Sequence, residues 1–390
     1  MKVYQTNEIK NIAIVGGAKT GKTTIAEAML FEGGLIKRRG TIDDKNTVSD
    51  YRAIELERQN SISSTLLYAE YKGFKINIID APGFDDFVGE VVSALKVADT
   101  ALIVINAQNG IDVGTDTAWR QSGLNQIPAI FAINHLEHEN SNFDEIVRQL
   151  KQNYGNNLTI CQYPVNAGLG FNSIIDLLKM KMLKFPENGG TPEVLDIPAS
   201  EKDKAEELHG ILVENAAEAD ESLMEVFFEE GTLTEEQLKQ GIKAGVTNRG
   251  MFPLMCVGGK HNMGVQRLME FITENAPSPN EMKNVKTVSG KVLEYKTTDP
   301  ATLFIFKTGI EEHLGEISFF KIYSGEVTEG MDIINAANGS KERISQIFAI
   351  AGKNREKLPK AVAGDIVSTI KLKSCFTNNT LNAGKNAEDV

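Results

Sequence analysis

Cysteine is scarce in this 390-residue chain. Cys161, Cys256 and Cys375 are odd in number and far apart. They can form neither a disulfide framework nor a four-cysteine zinc site. Such cysteine usage fits a reducing compartment, and the chain is expected to be cytoplasmic. No apolar run reaches the roughly 18 residues that a transmembrane helix needs, so no membrane association is expected. The first ten residues are polar and lack the apolar core of a secretory signal. Internal repeats and low-complexity tracts are also missing. Basic charge is in deficit: 41 Lys and Arg face 53 Asp and Glu, a net of −12. That balance argues against nonspecific nucleic-acid binding, which needs a basic surface. The deficit is local, however. Residues 201–236 hold thirteen acids against Lys202 and Lys204, which is −11 of the −12.

At 390 residues, two or three domains are expected. The first half alternates short apolar runs with helical patterns. Ile12–Val15, Ile76–Ile79, Ala101–Ile105, Ala129–Ile133 and Leu254–Val257 read as buried strands. Lys22–Leu30, Phe87–Val97, Thr115–Leu124 and Phe143–Leu150 read as helices. This predicts an α/β domain with a mostly parallel sheet covered on both faces. The acidic stretch Glu201–Phe228 places Leu208, Leu212, Ala216, Ala219, Leu223 and Val226 at helical spacing, with acids opposite. It reads as one amphipathic helix, either simply solvated or serving as a docking face for a basic partner. A capping box over Thr232–Glu235 is expected to start the next helix. After the break Ala276-Pro-Ser-Pro279 the pattern becomes β. Val288–Tyr295, Ala301–Thr308, Ile317–Tyr323, Met331–Asn335, Lys341–Ile350 and Asp365–Leu372 predict a small barrel. The division is 1–280 for a P-loop domain, with a helical and acidic insertion over about 158–252, and 285–390 for the barrel.

Three motifs carry chemistry. Gly16, Gly17, Ala18, Lys19, Thr20, Gly21, Lys22 and Thr23 spell G-x-x-x-x-G-K-[ST] between a strand and a helix. In that context the loop amides, with Thr24 on the first helical turn, cradle phosphates. Lys22 reaches the β- and γ-phosphates and Thr23 holds Mg2+. Asp80-Ala-Pro-Gly83 follows the next apolar run; its acid suits a magnesium site and the Gly83 amide suits a γ-phosphate. Asn134-His135-Leu-Glu137 ends the strand Ala129–Ile133. It sits where GTP-binding proteins carry N-K-x-D, whose acid accepts two hydrogen bonds from guanine. Here Glu137 is one methylene longer than the usual Asp, and His135 replaces the Lys that packs on the base. His135, Glu137 and His138 also permit a metal-ligand reading, which no further ligand motif supports.

With these motifs in place, the chain resembles the N-terminal part of translation elongation factor G, as a divergent paralogue, over nearly its whole length. Asp80–Glu90 resembles the second switch of that family, and Gly110 through Gln121 the helix that follows. Glu214–Glu225 resembles its helical insertion; Phe319–Gly325, Lys341–Ile344 and Ala363–Ile366 resemble its second domain, a β-barrel. Three later domains of the family find no counterpart in these 390 residues. The resemblance implies GTP and GDP as ligands with Mg2+, and a monomer that works on the ribosome. Ribosomal RNA and stalk proteins are the implied partners, the stalk meeting the acidic segment at about 201–230. tRNA and mRNA are engaged indirectly.

The departures from the family pattern carry their own expectations. Phe84 occupies the place of a His that positions the attacking water, so no residue is assigned as catalytic and hydrolysis is expected to be slow or absent. In the first switch, R-G-I-T becomes Arg58-Gln59-Asn60-Ser61, leaving the Ser61 hydroxyl as the third metal-site residue beside Thr23 and Asp80. Lys19 replaces an Asp that helps hold a monovalent cation; it either supplies the charge itself or points to solvent. Val257-Gly258-Gly259-Lys260 stands where the family has a G-S-A stretch against the guanine; Gly258 and Gly259 offer backbone N–H groups to the base with less rigidity. The leading expectation is a GTP- and ribosome-binding factor that promotes translocation. The alternatives are a ribosome-binding module indifferent to nucleotide, or a ribosome-protection or release-type factor. A non-translational P-loop ATPase or kinase leaves the barrel and insertion unexplained.

Overall fold

The computed structural model describes residues 1–187, 189–311, 315–384 and 388–390. The first domain begins β1 (Ile9–Val15), α1 (Lys22–Glu32), α2 (Ala53–Arg58), β2 (Thr65–Tyr71), β3 (Phe74–Asp80), α3 (Val88–Val97) and β4 (Thr100–Asn106). It continues with α4 (Val113–Leu124), β5 (Ala129–Asn134), α5 (Phe143–Tyr154) and β6 (Leu158–Ile160). The main sheet runs β2-β3-β1-β4-β5, then the strand Phe252–Cys256, then β6 at the far edge. Only β2 is antiparallel to its neighbour; every other pair is parallel. All residues of β1, β4 and β5 are buried. Continuous apolar runs such as Ile103-Val-Ile105 are what a strand covered on both faces requires. The carboxyl ends of β1, β3 and β5 therefore open on one edge, where parallel α/β sheets place their ligands.

Between β6 and Phe252–Cys256 lies a section whose strands are too short to stand out in the sequence. Gln162–Pro164, Ser173–Asp176, Lys181–Lys184 and Glu193–Leu195 form a four-stranded antiparallel sheet. Three helices follow: α6 (Lys202–Ala217), α7 (Glu221–Glu230) and α8 (Glu235–Thr247), and α9 (Val265–Asn275) comes after the last strand. The acidic stretch is thus two helices rather than one. The Asp220 carboxylate takes the Ser222 amide at 2.9 Å and the Leu223 amide at 3.4 Å, which starts a new helix. The capping box also lies two residues later than expected, with Thr234 and Gln237 as its members.

The second domain is all antiparallel β, the P-loop-plus-barrel layout. Its eight-stranded sheet contains Thr302–Glu311, Gly315–Ser324, Asp332–Asn335, Lys341–Arg343, Ile347–Ala351, Asn354–Leu358, Ile366–Ile370 and Thr380–Asn382. Lys341–Ile350 is two strands rather than one, because the chain leaves one sheet position at Ile344 and enters another at Ile347. Val288–Tyr295 is not a continuous strand either. A turn through Val288–Gly290 takes its first part, and only Val292–Leu293 is strand, paired antiparallel with Val285–Lys286 just upstream.

The two domains meet through buried polar groups. On β1 and β3, Asn11, Lys75 and Asn77 are almost fully buried. The Lys75 Nζ lies 2.7 Å from Asp365 Oδ1, and Asn77 donates to the same oxygen at 2.9 Å. Asn11 donates to Asp99 at 2.6 Å and to the Gly364 carbonyl at 2.7 Å. From the β domain, Lys321 reaches back to Asp99 at 2.5 Å and to the Val97 carbonyl at 2.9 Å. Each buried charge thus has a partner, which burial in a low-dielectric interior demands.

Candidate functional site

The loop expected to cradle phosphates lies where β1 turns into α1. Gly21 stands at the N-cap in the left-handed region, and no side chain caps the first turn. The leading N–H groups and the positive helix end are free for an anion. Packing here is tight. A Cβ on Gly17 would sit 1.6 Å from Asp112 Oδ2, and one on Gly83 would sit 2.5 Å from the Gly17 carbonyl. Only glycine permits these approaches, and they bring Gly83 against the loop. Lys22 is buried and donates to the Gly17 carbonyl at 2.6 Å. Burial pulls its ammonium down to about 8 against the opposing charges of Asp80, Asp112 and Asp50. Gly16, Gly17 and Thr20 are buried, Ala18 and Thr24 half-buried. Lys19 is exposed, in the left-handed region at φ 61°.

Around Thr23 three segments converge. Its hydroxyl donates to Asp80 Oδ2 at 2.8 Å and lies 3.2 Å from the Ser61 hydroxyl. Ser49 donates to the same Asp80 oxygen at 2.7 Å. The other oxygen, Asp80 Oδ1, is buried and has no partner. Burial raises the Asp80 carboxyl above its ordinary range, with Ser49, Thr23 and Lys22 working the other way. Asp50 also has an unpartnered buried oxygen. Burial and then the Asp80 charge push it up to about 7. Hard oxygen donors with unsatisfied negative charge suit Mg2+. Thr23, Ser61 and Asp80 were legible from motif and resemblance. Ser49 and Asp50 were not, since no spacing signals which residues of a long loop fold inward.

The base side is built from β5 and the loop after Phe252–Cys256. Asn134 is fully buried. Its Nδ2 donates to the Thr20 carbonyl at 2.8 Å, and its Oδ1 accepts the Gly259 amide at 2.9 Å. One side chain thus joins the phosphate loop to the base loop. Glu137 Oε2 is buried without a partner, and a Cβ on Gly258 would lie 3.6 Å from it. Burial alone would raise the Glu137 carboxyl, yet contact with His135 and its own backbone N–H hold it below its usual value. His135 Nδ1 is 3.8 Å from Glu137 Oε1. Among the described residues no group of three His, Cys, Asp or Glu is placed to hold a metal.

Phe84 lies just past Gly83, exposed, at the start of a short turn Asp85–Phe87. The segments on either side are tied to the second domain. Lys307 Nζ bonds Glu90 at 2.7 Å, the Ser64 carbonyl at 2.7 Å and the Ser63 hydroxyl. Glu90 in turn accepts the Ser64 amide at 2.7 Å. Tyr51 donates to Glu311 at 2.7 Å. On the other side, buried Glu27 of α1 accepts the Gly40 and Val48 amides at 2.8 and 2.9 Å.

Residues 7–278 match the family described as the elongation factor Tu GTP binding domain. Residues 300–384 match elongation factor G domain 2. Among solved structures, the protein ttk003000868 from Thermus thermophilus is similar, with a TM-score of 0.87 and 25% identity. The match covers 98% of this chain and 55% of that one, so this chain spans about half the length of that relative. No helix among the described residues is long and apolar enough to cross a membrane. A guanine-nucleotide domain joined to an elongation factor G second domain, in that order and on one chain, means that this protein belongs to the translation elongation factor G family.

Proposed function

We propose that this chain binds GTP with Mg2+, engages the ribosome and promotes translocation, with hydrolysis slow or absent. The observation that carries the reading is a divided one. Lys22, Thr23, Asp80, Asn134 and Glu137 converge on one sheet edge, while Phe84 stands where the family places its water-positioning His.

The work falls to named groups. The loop amides and Lys22 bind and orient the phosphates. Thr23, Ser61 and Asp80 are the residues to hold Mg2+, which when bound offsets phosphate charge. The unpartnered Asp80 Oδ1 supports that assignment. The unpartnered Glu137 Oε2 faces the base, where guanine carries two N–H donors and adenine offers no equivalent pair. A phenyl ring at Phe84 can neither accept a proton nor hold a water. Phosphoryl transfer depends on positioning and charge stabilisation, and losing one such group typically slows it roughly a hundredfold. Exposed acids of α6 and α7, with Ile211 and Phe228 exposed beside them, support docking of the ribosomal stalk on the insertion.

The test is single-turnover GTP cleavage with and without ribosomes, beside Phe84→His. Slow cleavage in the wild type and acceleration in the variant supports the reading. Ribosome-stimulated cleavage at the rate of an ordinary family member overturns it. Ribosome binding that is identical with GTP, GDP or no nucleotide identifies a module indifferent to nucleotide instead.

A further inference from the structure

The base loop is held by more than the residues that face the base. Gly258 and Gly259 give it little stiffness of their own. Its backbone is closed by Gly258 and Met263, which exchange amide and carbonyl at 2.9 and 3.0 Å. Asn134 takes the Gly259 amide, and Asn262 donates to Glu32 of α1 at 2.5 Å. The two carbonyls on the outer side of the loop belong to Gly259 and Lys260. One side chain reaches both: Arg39 Nη1 donates to Gly259 O at 3.0 Å, which also accepts the Asn262 amide at 3.2 Å, and to Lys260 O at 3.1 Å. Arg39 immediately precedes Gly40, whose amide is pinned by buried Glu27. Glu27 pins Val48 as well, next to Ser49 and Asp50 of the metal side.

We infer that Arg39 is a positioning residue for nucleotide retention, linking the loop over residues 40–50 to the base loop. This deepens the guanine-binding reading and rests on it. A charged donor shared by two carbonyls stiffens a loop that two glycines leave soft. The route is short: order in residues 40–50 fixes Gly40, Gly40 fixes Arg39, and Arg39 fixes Gly259 and Lys260. Loosening of that loop therefore loosens the grip on the base, with no contact between Arg39 and nucleotide required. Glu27 is the shared anchor, so both ends of the loop feel its loss.

Two measurements on Arg39→Ala test this. In the nucleotide-free protein, amide hydrogen exchange at residues 258–263 should accelerate, with β4 and β5 unchanged. Unaltered exchange overturns the clamp whatever the nucleotide result. With fluorescent GDP bound, release should quicken roughly tenfold while association stays the same. Normal release from a protein that binds GDP overturns the role in retention. Failure of the wild type to bind GDP at all overturns the guanine reading, and the role in retention with it, and leaves the exchange data to judge the clamp alone. The link to the loop over residues 40–50 is read from Glu27→Gln, which should speed release in the wild type but add little to Arg39→Ala. Full additivity overturns the link.

Discussion

Replacing Glu137 by Gln tests base recognition most directly. In the free protein Glu137 Oε2 is buried with no hydrogen-bond partner, and the carboxyl is held ionised beside His135. If Glu137 faces the base as proposed, this unsatisfied acceptor meets guanine's N1–H and exocyclic amine. Hydrogen bonds to a charged acceptor are each worth about 1.5–3 kcal/mol. Gln keeps one carbonyl but turns an N–H toward one of the guanine donors, so at least one bond is lost and a donor faces a donor. A loss of about 3 kcal/mol corresponds to roughly a hundredfold weaker GDP binding. Xanthine carries a carbonyl where guanine carries the amine, so the same amide that offends guanine should accommodate xanthosine diphosphate. The assay is displacement of fluorescent GDP by GDP, xanthosine diphosphate and ADP in both proteins. The variant's thermal stability should fall only modestly, because what the substitution weakens in the free protein is the contact of the carboxylate with His135, and Oε2 itself makes no bond. GDP affinity within about threefold of wild type, with no gain for xanthosine diphosphate, would refute the assignment of Glu137 to the base.

Three further outcomes are expected. Asp80→Asn should weaken GTP binding in Mg2+ by roughly tenfold or more, while with EDTA present the variant and wild type should converge; equal losses in both conditions would remove Asp80 from the metal site. Asp99→Ala strands the buried Lys321 ammonium and should cost about 3–5 kcal/mol in urea unfolding, whereas Asp99→Ala with Lys321→Met should cost much less; additive losses would contradict a buried pair. Burial brings the Lys10 ammonium down from 10.5 to about 8, so between those values the unfolded chain binds more protons than the folded one. Stability should therefore rise with pH across pH 8 to 10.5, by about 3 kcal/mol at most, and Lys10→Met should flatten that slope.

Much of the central architecture could be read from the chain. Runs such as Ile12–Val15 and Ala101–Ile105 are apolar because helices cover both faces, and nothing else in a soluble domain tolerates them. The phosphate loop, Asp80 and Asn134 were equally plain, since strand ends and glycine spacing place them. The misreadings have physical causes. A helical period continued through Ala219 while Asp220 ended one helix by capping the next, and a hydrophobic period cannot register a cap. The four-stranded sheet between residues 162 and 195 has strands of three or four residues, too short for alternation to show. Asn11, Lys75 and Asn77 are polar on buried strands because the β domain supplies their partners, a fact that no local window contains. Ser49, Asp50 and Arg39 gained their places, and Glu27 of α1 its partners, through the path of a loop, which side-chain periodicity does not encode.

Lys307 joins two segments of the first domain at once. Its ammonium is shared between Ser63 and Ser64, which follow Arg58–Ser61, and Glu90 of α3. If either segment withdraws alone, the lysine keeps a partner and stays in place. Only when both leave is a cation with 13% of its side chain exposed left stranded at the seam. The junction is thus a two-key lock, in which the β domain keeps its hold if one segment withdraws and loses it only if both depart.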